Sequence, residues 1–404
     1  MLTCTSNFYK NKEMSIGKLL LTAFLGCFVS AINCSAEKMD LSGDSIRNNT
    51  ITFFTPGKPW PDNNGKHINA HGGGILFYQG TYYWFGEYKI AGRLGNSAQV
   101  GVSCYSSRDL LNWKDEGIVL KVNDKDTASE IVKGCIIERP KVVFNKKTGK
   151  FVMWFHLELK GKGYSAARAA VAVSNSVTGP YQFLKSYRPN ADQWPINFKD
   201  EWKQKLNGED TLKWWTNPWR EAVNKGLFVR RAFHVGQMFR DMTIFQDDNG
   251  KAYLICASEE NLTIHISELT DDYLSFTGKW SRIFPGGHNE APTMCKVNGK
   301  YYLITSGCTG WDPNAARSAV ADSIWGTWTS LGNPCVGREA ETTFQSQGTH
   351  ILPVQGKKGA FIFLADRWTP RNPIDGGYIW LPLSFENGKP IIRWYAQWDL
   401  SIFN

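Results

Sequence analysis

Apolar and polar residues alternate along most of the chain in short runs that end at turn-forming residues, a pattern typical of β-strands rather than helices. One unit recurs five times: an apolar run, a turn that contains Gly, and a second run that is mostly aromatic-rich. This turn chemistry predicts a β-hairpin in each unit. The five units are GGILFYQGTYYWFGE (73–87), PKVVFNKKTGKFVMWFHLE (140–158), MTIFQDDNGKAYLICASE (242–259), PTMCKVNGKYYLITSG (292–307) and GTHILPVQGKKGAFIFLAD (348–366).

A second, more polar hairpin candidate follows each unit. Two successive hairpins make a four-stranded sheet, and five such sheets in a ring make a five-bladed β-propeller. A β-sandwich is the alternative, but it would not require five matched pairs of hairpins in one order. We therefore predict an all-β fold in which residues 37–404 form one propeller domain. The second hairpins are expected at 100–113, 169–183, 262–276, 316–330 and 377–398.

One segment, at about 186–240, interrupts this repeat between the second and third blades. It has no hairpin signal, and it contains the tryptophan-rich run KWWTNPW (213–219). We expect part of it to be helical. Its tryptophans either help to shape a site over one face of the propeller or fix the insertion to the blades.

The N-terminal segment predicts export. Lys18 precedes the apolar run LLLTAFLGCFV (19–29), and the small residues CSA (34–36) follow it. The run is too short to span a membrane comfortably, and no other run is long enough to do so. We place the true start at Met14 and cleavage after residue 36, so that residues 1–36 form a signal peptide.

The mature protein is therefore expected in the periplasm or outside the cell. Lipid attachment to Cys27 or Cys34 is the alternative to a soluble, cleaved form.

Composition argues against several classes of partner and cofactor. Aromatic residues make up 14% of the chain and include 17 Trp, which suits a β core and also stacking on sugar rings. The formal net charge is +9, but Lys and Arg are dispersed, so nucleic-acid binding is not expected. The chain has no C-x-x-C pair and no serine-esterase, metalloprotease or nucleotide-binding motif, so we predict no cofactor or metal. A structural calcium ion in the axial channel is left open.

Three blades carry a carboxylate at the same point. Glu138, Asp241 and Glu290 each stand at the start of a predicted inner strand. Inner strands of a propeller converge on its axis, so these acids are expected to surround one central pocket. Carboxylates placed so close together repel one another, and this arrangement indicates a functional site.

The five-blade plan and the segments AHGGGILFYQGTYYWFGE, ERPKV, RDMTIFQDDNGKAYL, NEAPTM and FQSQGTH resemble glycoside hydrolase family 43, and within it the exo-β-1,3-galactanase-like branch. The resemblance implies an inverting glycosidase, whose acid and base lie far enough apart to admit a water molecule. It implies that Glu290 is the general acid. It also implies that Asp241 orients this acid and raises its pKa.

The aspartate that serves as base elsewhere in the family is missing, because no acid lies between Asp62 and Glu87. The branch shares this loss, and the resemblance implies that a glutamine near the water acts instead through its imidic acid tautomer. The segment FQSQG (344–348) offers two candidates. We favour Gln347, which directly precedes the strand, and keep Gln345 as the alternative. Either glutamine could instead simply hydrogen-bond the sugar.

The resemblance also supplies candidates for substrate binding. Glu138 and Glu87 match acids that line the galactose subsite; Glu138 is also a candidate base, and a structural salt bridge is the alternative for Glu87. Asn261 and Thr309 are expected to hydrogen-bond the sugar. His71, next to three glycines, is either a donor to the sugar or a hydrogen-bonded core residue.

These observations predict an exported, inverting exo-glycosidase that removes terminal β-1,3-linked galactose from galactan or arabinogalactan, a plant-type polysaccharide. An α-L-arabinofuranosidase, β-xylosidase or β-galactofuranosidase of the same family is an alternative, because the insertion could rebuild the subsite. A non-catalytic carbohydrate-binding propeller is the alternative from another class. The missing aspartate favours that alternative, whereas the retention of Glu290 together with Asp241 argues against it.

Overall fold

Five sheets of mostly antiparallel strands, each formed by strands that are consecutive or nearly so in the chain, form the framework of the described residues. The structure is a computed structural model and describes residues 50–403, so the predicted signal peptide, with Cys27 and Cys34, lies outside the described residues. The first four sheets have four strands each, in simple sequential order. Their strands are β1 (His71–Tyr78), β2 (Thr81–Tyr88), β3 (Gly101–Ser107) and β4 (Lys114–Lys121); β5 (Ile136–Asn145), β6 (Lys150–Glu158), β7 (Arg168–Ser174) and β8 (Gln182–Tyr187); β9 (Met242–Gln246), β10 (Ala252–Ser258), β11 (Thr263–Leu269) and β12 (Phe276–Ile283); and β13 (Glu290–Val297), β14 (Lys300–Ser306), β15 (Arg317–Ala321) and β16 (Thr329–Gly332).

The fifth sheet has one strand more than predicted. A two-residue strand, β17, pairs in parallel with the outermost strand of this sheet. The innermost strands β1, β5, β9, β13 and β18 contact one another in turn, and β18 returns to β1. This ring confirms the predicted five-bladed propeller. The strands of the fifth sheet are β17 (Cys335–Val336), β18 (Gln347–Pro353), β19 (Phe361–Arg367), β20 (Gly377–Glu386) and β21 (Lys389–Arg393).

Aromatic residues from both ends of the described chain close the ring between the fifth and first blades. Phe54 and Trp398 exchange backbone hydrogen bonds of 2.7 and 3.1 Å, and their rings stack at 4.1 Å. Trp398 also donates its indole N–H to the carbonyl of Trp380 at 2.9 Å. Trp84 of the first blade packs against Trp380 in the same buried cluster. Burial of these large rings therefore holds the two blades together.

The insertion between β8 and β9 is partly helical, as predicted. It contains α1 (Asn217–Asn224) and α2 (Leu227–Arg231), and Thr216 caps α1 by accepting a hydrogen bond from the backbone N–H of Trp219. Among the described residues, no helix is long and apolar enough to cross a membrane. Short 3-10 helices lie at Arg93–Asn96, Asp200–Trp202, Glu209–Thr211, Ala340–Thr342, Pro373–Asp375 and Leu400–Phe403.

Several inner strands are irregular near their first residues. The pairing register shifts just after His71 in β1, after Glu138 in β5, and after Glu290 in β13. The following residues, Arg139 and Ala291, have φ of 57° and 49°. Irregularities of this kind bend a strand and redirect the neighbouring side chains. Here they occur where each strand approaches the axis.

The three glycines of the first inner strand allow close packing at this point. A Cβ atom on Gly73 would lie 1.8 Å from the carbonyl oxygen of Phe85 in the paired strand. A Cβ on Gly74 would lie 2.5 Å from Cδ of Lys141, which extends across from β5. Only glycine fits at these two positions without a shift of its neighbours.

Candidate active site

Each of the five inner strands has, at or near its start, one residue that the sequence predicted to belong to the site. His71, Glu138 and Glu290 precede the irregularities of blades one, two and four. Asp241 directly precedes β9, and Gln347 begins β18. These five positions surround the propeller axis, so the structure brings together candidates from all five blades.

Glu290 is held next to Asp241 in a partly buried position. Asn261 donates from Nδ2 to Glu290 Oε1 at 2.6 Å, and the Cys308 thiol donates to the backbone carbonyl of Asn261 at 3.6 Å. Burial and then the charge of Asp241 raise the pKa of Glu290 to about 7, although the charge of Arg139 opposes this shift. A carboxyl group with this pKa keeps its proton near neutral pH and can transfer it, as a general acid must.

Arg139 connects Asp241 to Gln347 across the site. Its Nε and Nη2 donate to the two Asp241 oxygens at 3.2 and 2.9 Å, and Nη2 also donates to Gln347 Oε1 at 2.5 Å. Its Nη1 donates to the carbonyl of Gly348 at 2.9 Å, and its guanidinium carbon lies 5.4 Å from the ring centroid of Trp368. This planar, five-donor group therefore fixes both partners at once.

The two candidate glutamines lie in different surroundings. Gln347 Oε1 accepts from Arg139 and from Trp368 Nε1 at 3.0 Å, while Nε2 donates to Ser306 Oγ at 3.0 Å. Gln345 is exposed, has φ of 62°, and hydrogen-bonds within its own loop. Gln347 is thus linked to Asp241 through Arg139, whereas Gln345 has no such link, although both glutamines line the neighbouring cavity.

Glu138 belongs to a buried chain of charged groups. His156 donates from Nδ1 to Glu138 at 3.0 Å and from Nε2 to Glu158 at 2.9 Å, and the Tyr164 hydroxyl donates to Glu138 at 2.6 Å. Burial opposes both charges, but the two carboxylates raise the pKa of His156 to about 9, and the hydrogen bonds lower that of Glu138 to about 2. So acidic a carboxylate is a weak base, which favours hydroxyl binding over catalysis as the role of Glu138.

Glu87 forms the salt bridge that was the alternative to substrate binding. Its Oε2 lies 2.5 Å from Lys89 Nζ, and both side chains are buried. Its Oε1 accepts a hydrogen bond of 2.9 Å from the backbone N–H of Arg139. Glu87 therefore supports the strand that carries Glu138 and Arg139.

His71 lies in the core rather than in the pocket. Its exposed fraction is 0%, its ring stacks on Tyr378 at 5.3 Å, and its Nδ1 lies 3.4 Å from Asp366 Oδ2. The expectation that His71 donates to the sugar is not met, because a side chain with no exposed surface cannot contact a substrate in this conformation. Its burial fits the alternative of a core histidine, but neither ring nitrogen has a hydrogen-bond partner among the described residues, so the hydrogen bonding expected of that core residue is absent.

The loop after β14 forms one wall of a cavity next to Gln347. Thr309 Oγ1 donates to the carbonyl of Asp312 at 2.6 Å and accepts from Asn314 Nδ2 at 2.7 Å, so Thr309 stabilises this loop. The cavity has a volume of about 420 Å³. Its lining includes Trp311, Asn314, Gln345, Gln347, Arg367 and Trp368.

A lysine and a histidine fill the axis next to the site. Lys141 is 1% exposed and donates to the carbonyls of Gly72 and Arg139 at 2.9 and 3.3 Å. Burial and the charge of Arg139 lower the pKa of Lys141 to about 7, and burial and Lys141 lower that of His350 to about 3. The sequence had left open a structural calcium ion in the axial channel. Calcium prefers oxygen ligands, so the basic side chains of Lys141 and His350 do not suit such an ion at this point.

Glu138, His156 and Asp241 also bring ligand atoms within 4.8 Å of one another, close enough to share a metal ion. Both His156 nitrogens already donate to carboxylates, and both Asp241 oxygens accept from Arg139. A metal would have to displace these partners, so the cluster fits an ion poorly.

Sequence reasoning missed Arg139, Lys141 and Trp368 as parts of the site. Arg139 and Lys141 lie within the segment ERPKV, and a lysine within an otherwise apolar inner strand was the available signal. The role of Arg139 depends on the bulge after Glu138. The sequence of a single strand does not reveal a bulge, because a bulge is defined by how two strands pair.

The sequence and fold of this chain are similar to those of known proteins. Residues 211–376 match the family model described as glycosyl hydrolases family 43. A solved family 43 β-1,3-galactosidase, in complex with galactodeoxynojirimycin, is 56% identical, with a TM-score of 0.83 over 86% of this chain and 100% of that one. The chain belongs to glycoside hydrolase family 43.

Two further solved relatives of this family 43 enzyme are exo-β-1,3-galactanases. The protein from Clostridium thermocellum is 38% identical with a TM-score of 0.69, over 85% of this chain and 66% of that one. The protein from Phanerochaete chrysosporium, solved with β-1,3-galactotriose, is 31% identical with a TM-score of 0.68, over 86% and 68%.

A curated relative shows a shorter match. The β-D-galactofuranosidase of Aspergillus niger is 35% identical over 105 residues, which is 24% of this chain and 30% of that protein. The chain thus spans less than a third of that relative.

Proposed function

We propose that this family 43 enzyme releases terminal galactose from β-1,3-galactan, including the backbone of arabinogalactan, with inversion at the anomeric carbon. The observation that carries the proposal is the arrangement of Glu290 next to Asp241, with Arg139 connecting Asp241 to Gln347. The solved relatives that act on β-1,3-linked galactose support the choice of substrate.

In the proposed mechanism, Glu290 donates its proton to the glycosidic oxygen as the bond to the leaving group breaks. The charge of Asp241, which pairs with Arg139 at 2.9 Å, raises the pKa of Glu290 and so favours the protonated acid. Glu138, which is ionised, accepts a hydrogen bond from a sugar hydroxyl.

Gln347 positions and activates the water on the opposite face of the sugar. Arg139 and Trp368 both donate to its Oε1 and so hold the carboxamide in one orientation. In the imidic acid form one proton has moved from Nε2 to Oε1, which leaves on Nε2 a lone pair that accepts a proton from the attacking water; the protonated amide then loses its Oε1 proton to solvent, and the amide is restored. Ser306 fixes one side of Nε2, and we assign the other side to the water.

The substrate is tested with a panel of glycosides and an acid-deficient variant. The full chain is assayed on β-1,3-galactobiose and on nitrophenyl β-galactopyranoside, β-galactofuranoside, β-xylopyranoside and α-L-arabinofuranoside. We expect the highest kcat/KM on the β-1,3-galactoside and a loss of at least about 10²-fold in Glu290→Gln on this substrate.

A preference for another sugar would replace the proposed substrate while leaving the enzyme class intact. Binding of galactan with no release of sugar from any substrate would favour the non-catalytic alternative.

We also propose that the protein is exported, on the basis of the N-terminal sequence alone. Mass spectrometry of the protein made in its own host tests this proposal. We expect an N-terminus at residue 37, and an uncleaved or acylated N-terminal segment would contradict the cleaved, soluble form.

A further inference from the structure

Two neighbouring tryptophans of the insertion are exposed. Trp214 and Trp215 keep 47% and 49% of their surface exposed, whereas Trp219 of the same run keeps 2%. The Trp219 ring lies 4.9 Å from that of Trp214 and 5.1 Å from that of Trp215, so the buried ring supports the exposed pair. Two adjacent exposed indoles form an apolar surface of the kind that marks a binding site.

The insertion that carries this pair is fixed to the third blade. Arg282 of β12 donates to the carbonyls of Val223 and Asn224 at 2.8 and 3.1 Å, where α1 ends. Arg282 also forms a buried ion pair with Glu259 at 2.6 Å. The tryptophans are therefore held on a rigid support, as a precise binding site requires.

This support places the pair next to the segment that carries the proposed acid. The ring centroid of Trp215 lies 5.3 Å from that of His288. His288 precedes Glu290 by two residues, so their Cα atoms are at most about 7 Å apart. The backbone of His288 is itself fixed by Leu262 and Arg317. Since Glu290 protonates the leaving group in the proposed mechanism, its neighbours on this face are suited to contact that part of the substrate.

The backbone at Trp215 is strained. Its φ is 69°, a left-handed conformation that is rare for a bulky residue. Its ring also lies 5.7 Å from the guanidinium carbon of Arg220, which offers hydrogen-bond donors next to an apolar surface. An aromatic face bordered by donors matches a pyranose ring, which has an apolar face and a rim of hydroxyls.

We propose that Trp214 and Trp215 form a leaving-group subsite that stacks on galactosyl residues beyond the bond to be cleaved. The proposal rests on the proposed function and extends it: the enzyme would favour chains over substrates with a small leaving group. The occupant is the β-1,3-galactan chain itself.

The test compares two substrates that differ only on the leaving-group side. β-D-Galactosyl fluoride has no sugar there, whereas β-1,3-galactotriose occupies the subsite. We expect Trp214→Ala and Trp215→Ala to lower the ratio of kcat/KM for the triose to that for the fluoride by about tenfold, equivalent to about 1.4 kcal/mol.

Trp325→Ala is the matched control. Trp325 follows β15, at the end of the fourth blade opposite to Glu290, and the ammonium of Lys279 lies 4.7 Å from its ring centroid. We expect the substrate ratio of this variant to equal that of the wild type.

A direct binding measurement gives a second readout. In the Glu290→Gln background, calorimetry should show about tenfold weaker binding of β-1,3-galactotriose when Trp215 is replaced by Ala, and unchanged binding of galactose. An unchanged substrate ratio together with unchanged triose binding overturns the subsite. If the wild type cleaves neither substrate, the proposed function fails, and the binding experiment alone decides on the subsite.

Discussion

The groups around the carboxyl of Glu290 shift its pKa in opposite directions. Burial and Asp241 raise its pKa, while Arg139 and the hydrogen bond from Asn261 act in the other direction. The resulting pKa of about 7 depends on these neighbours rather than on the residue type, because an unperturbed glutamate titrates near 4.3. Replacing a neighbour that raises this pKa should therefore move the pH profile of kcat/KM to lower pH.

Asp241→Asn should shift the basic limb of the pH profile to lower pH. The wild type needs protonated Glu290, so its kcat/KM should fall as the pH rises through about 7. Asn removes the negative charge that raises this pKa, and the positive charge of Arg139 remains. At a pH above the pKa of the acid, kcat/KM should fall by about tenfold for each pH unit by which the limb moves down. Profiles of kcat/KM against pH measure the limb.

Asp322→Asn is the control for this profile. Asp322 is an exposed acid paired with Lys300 at the far end of the fourth blade, so its removal should leave the limb in place. A limb that stays near pH 7 in Asp241→Asn would show that Asp241 does not set the pKa of the acid.

At the scale of single residues, the sequence predicted that Glu290, Asp241 and Gln347 stand at the starts of inner strands, and the structure places them there. Their roles as acid, orienting residue and base come from the family resemblance and stay predictions. The sequence did not locate Arg139 or show that His71 is buried. Both features depend on contacts between blades, such as the stack of His71 on Tyr378 from the fifth blade. No local pattern records such contacts.

The inner hairpin is the element that organises the site. Its strands could be predicted from alternation and turn residues, but its bulges could not, since a bulge is defined by the register of two strands. The same limit applies to β17, a two-residue strand that pairs in parallel with a distant part of the chain. The glycines at 72–74 were visible as unusual. The structure explains Gly73 and Gly74 by close contact with Phe85 and Lys141, and Gly72 by its φ of 60° and by its contact with Glu87.

Gly73→Ala should destabilise the first blade. Its Cβ would lie 1.8 Å from the Phe85 carbonyl oxygen, which cannot move without disturbing the hairpin. Overpacking of this kind typically costs about 1–3 kcal/mol, and we expect the upper end of that range. The change in unfolding free energy is measured by denaturant titration.

Gly377→Ala provides the comparison, since its nearest neighbours would lie 3.8 Å away and its φ is not in the left-handed region. Equal stability of the two variants would mean that the tight contact at Gly73 is not present in the protein.

At the scale of the whole molecule, the ring must be closed for the site to exist. Asp366 of the fifth blade accepts a hydrogen bond of 2.7 Å from the backbone N–H of Gly72 in the first. The pair of Phe54 and Trp398 closes the outer part of the same junction. The sequence predicted five blades but not this closure, because Phe54 and Trp398 lie at opposite ends of the propeller's sequence.

Trp398→Ala should weaken this closure. Loss of a buried indole that stacks on Phe54 and hydrogen-bonds to Trp380 typically costs about 3–5 kcal/mol. The loss should appear as a lower Tm, with activity retained at temperatures well below it. Activity lost at every temperature, with an unchanged Tm, would instead indicate a direct role of Trp398 in the site.

The central claim is inverting hydrolysis in which Gln347 takes the place of a carboxylate base. Real-time NMR of β-1,3-galactobiose hydrolysis by the wild type, Gln347→Ala and Gln345→Ala tests it most directly. We expect α-galactose as the first product of the wild type and of Gln345→Ala, and a rate at least about 10²-fold lower in Gln347→Ala. β-Galactose as the first product, or a wild-type rate in Gln347→Ala, would contradict the account.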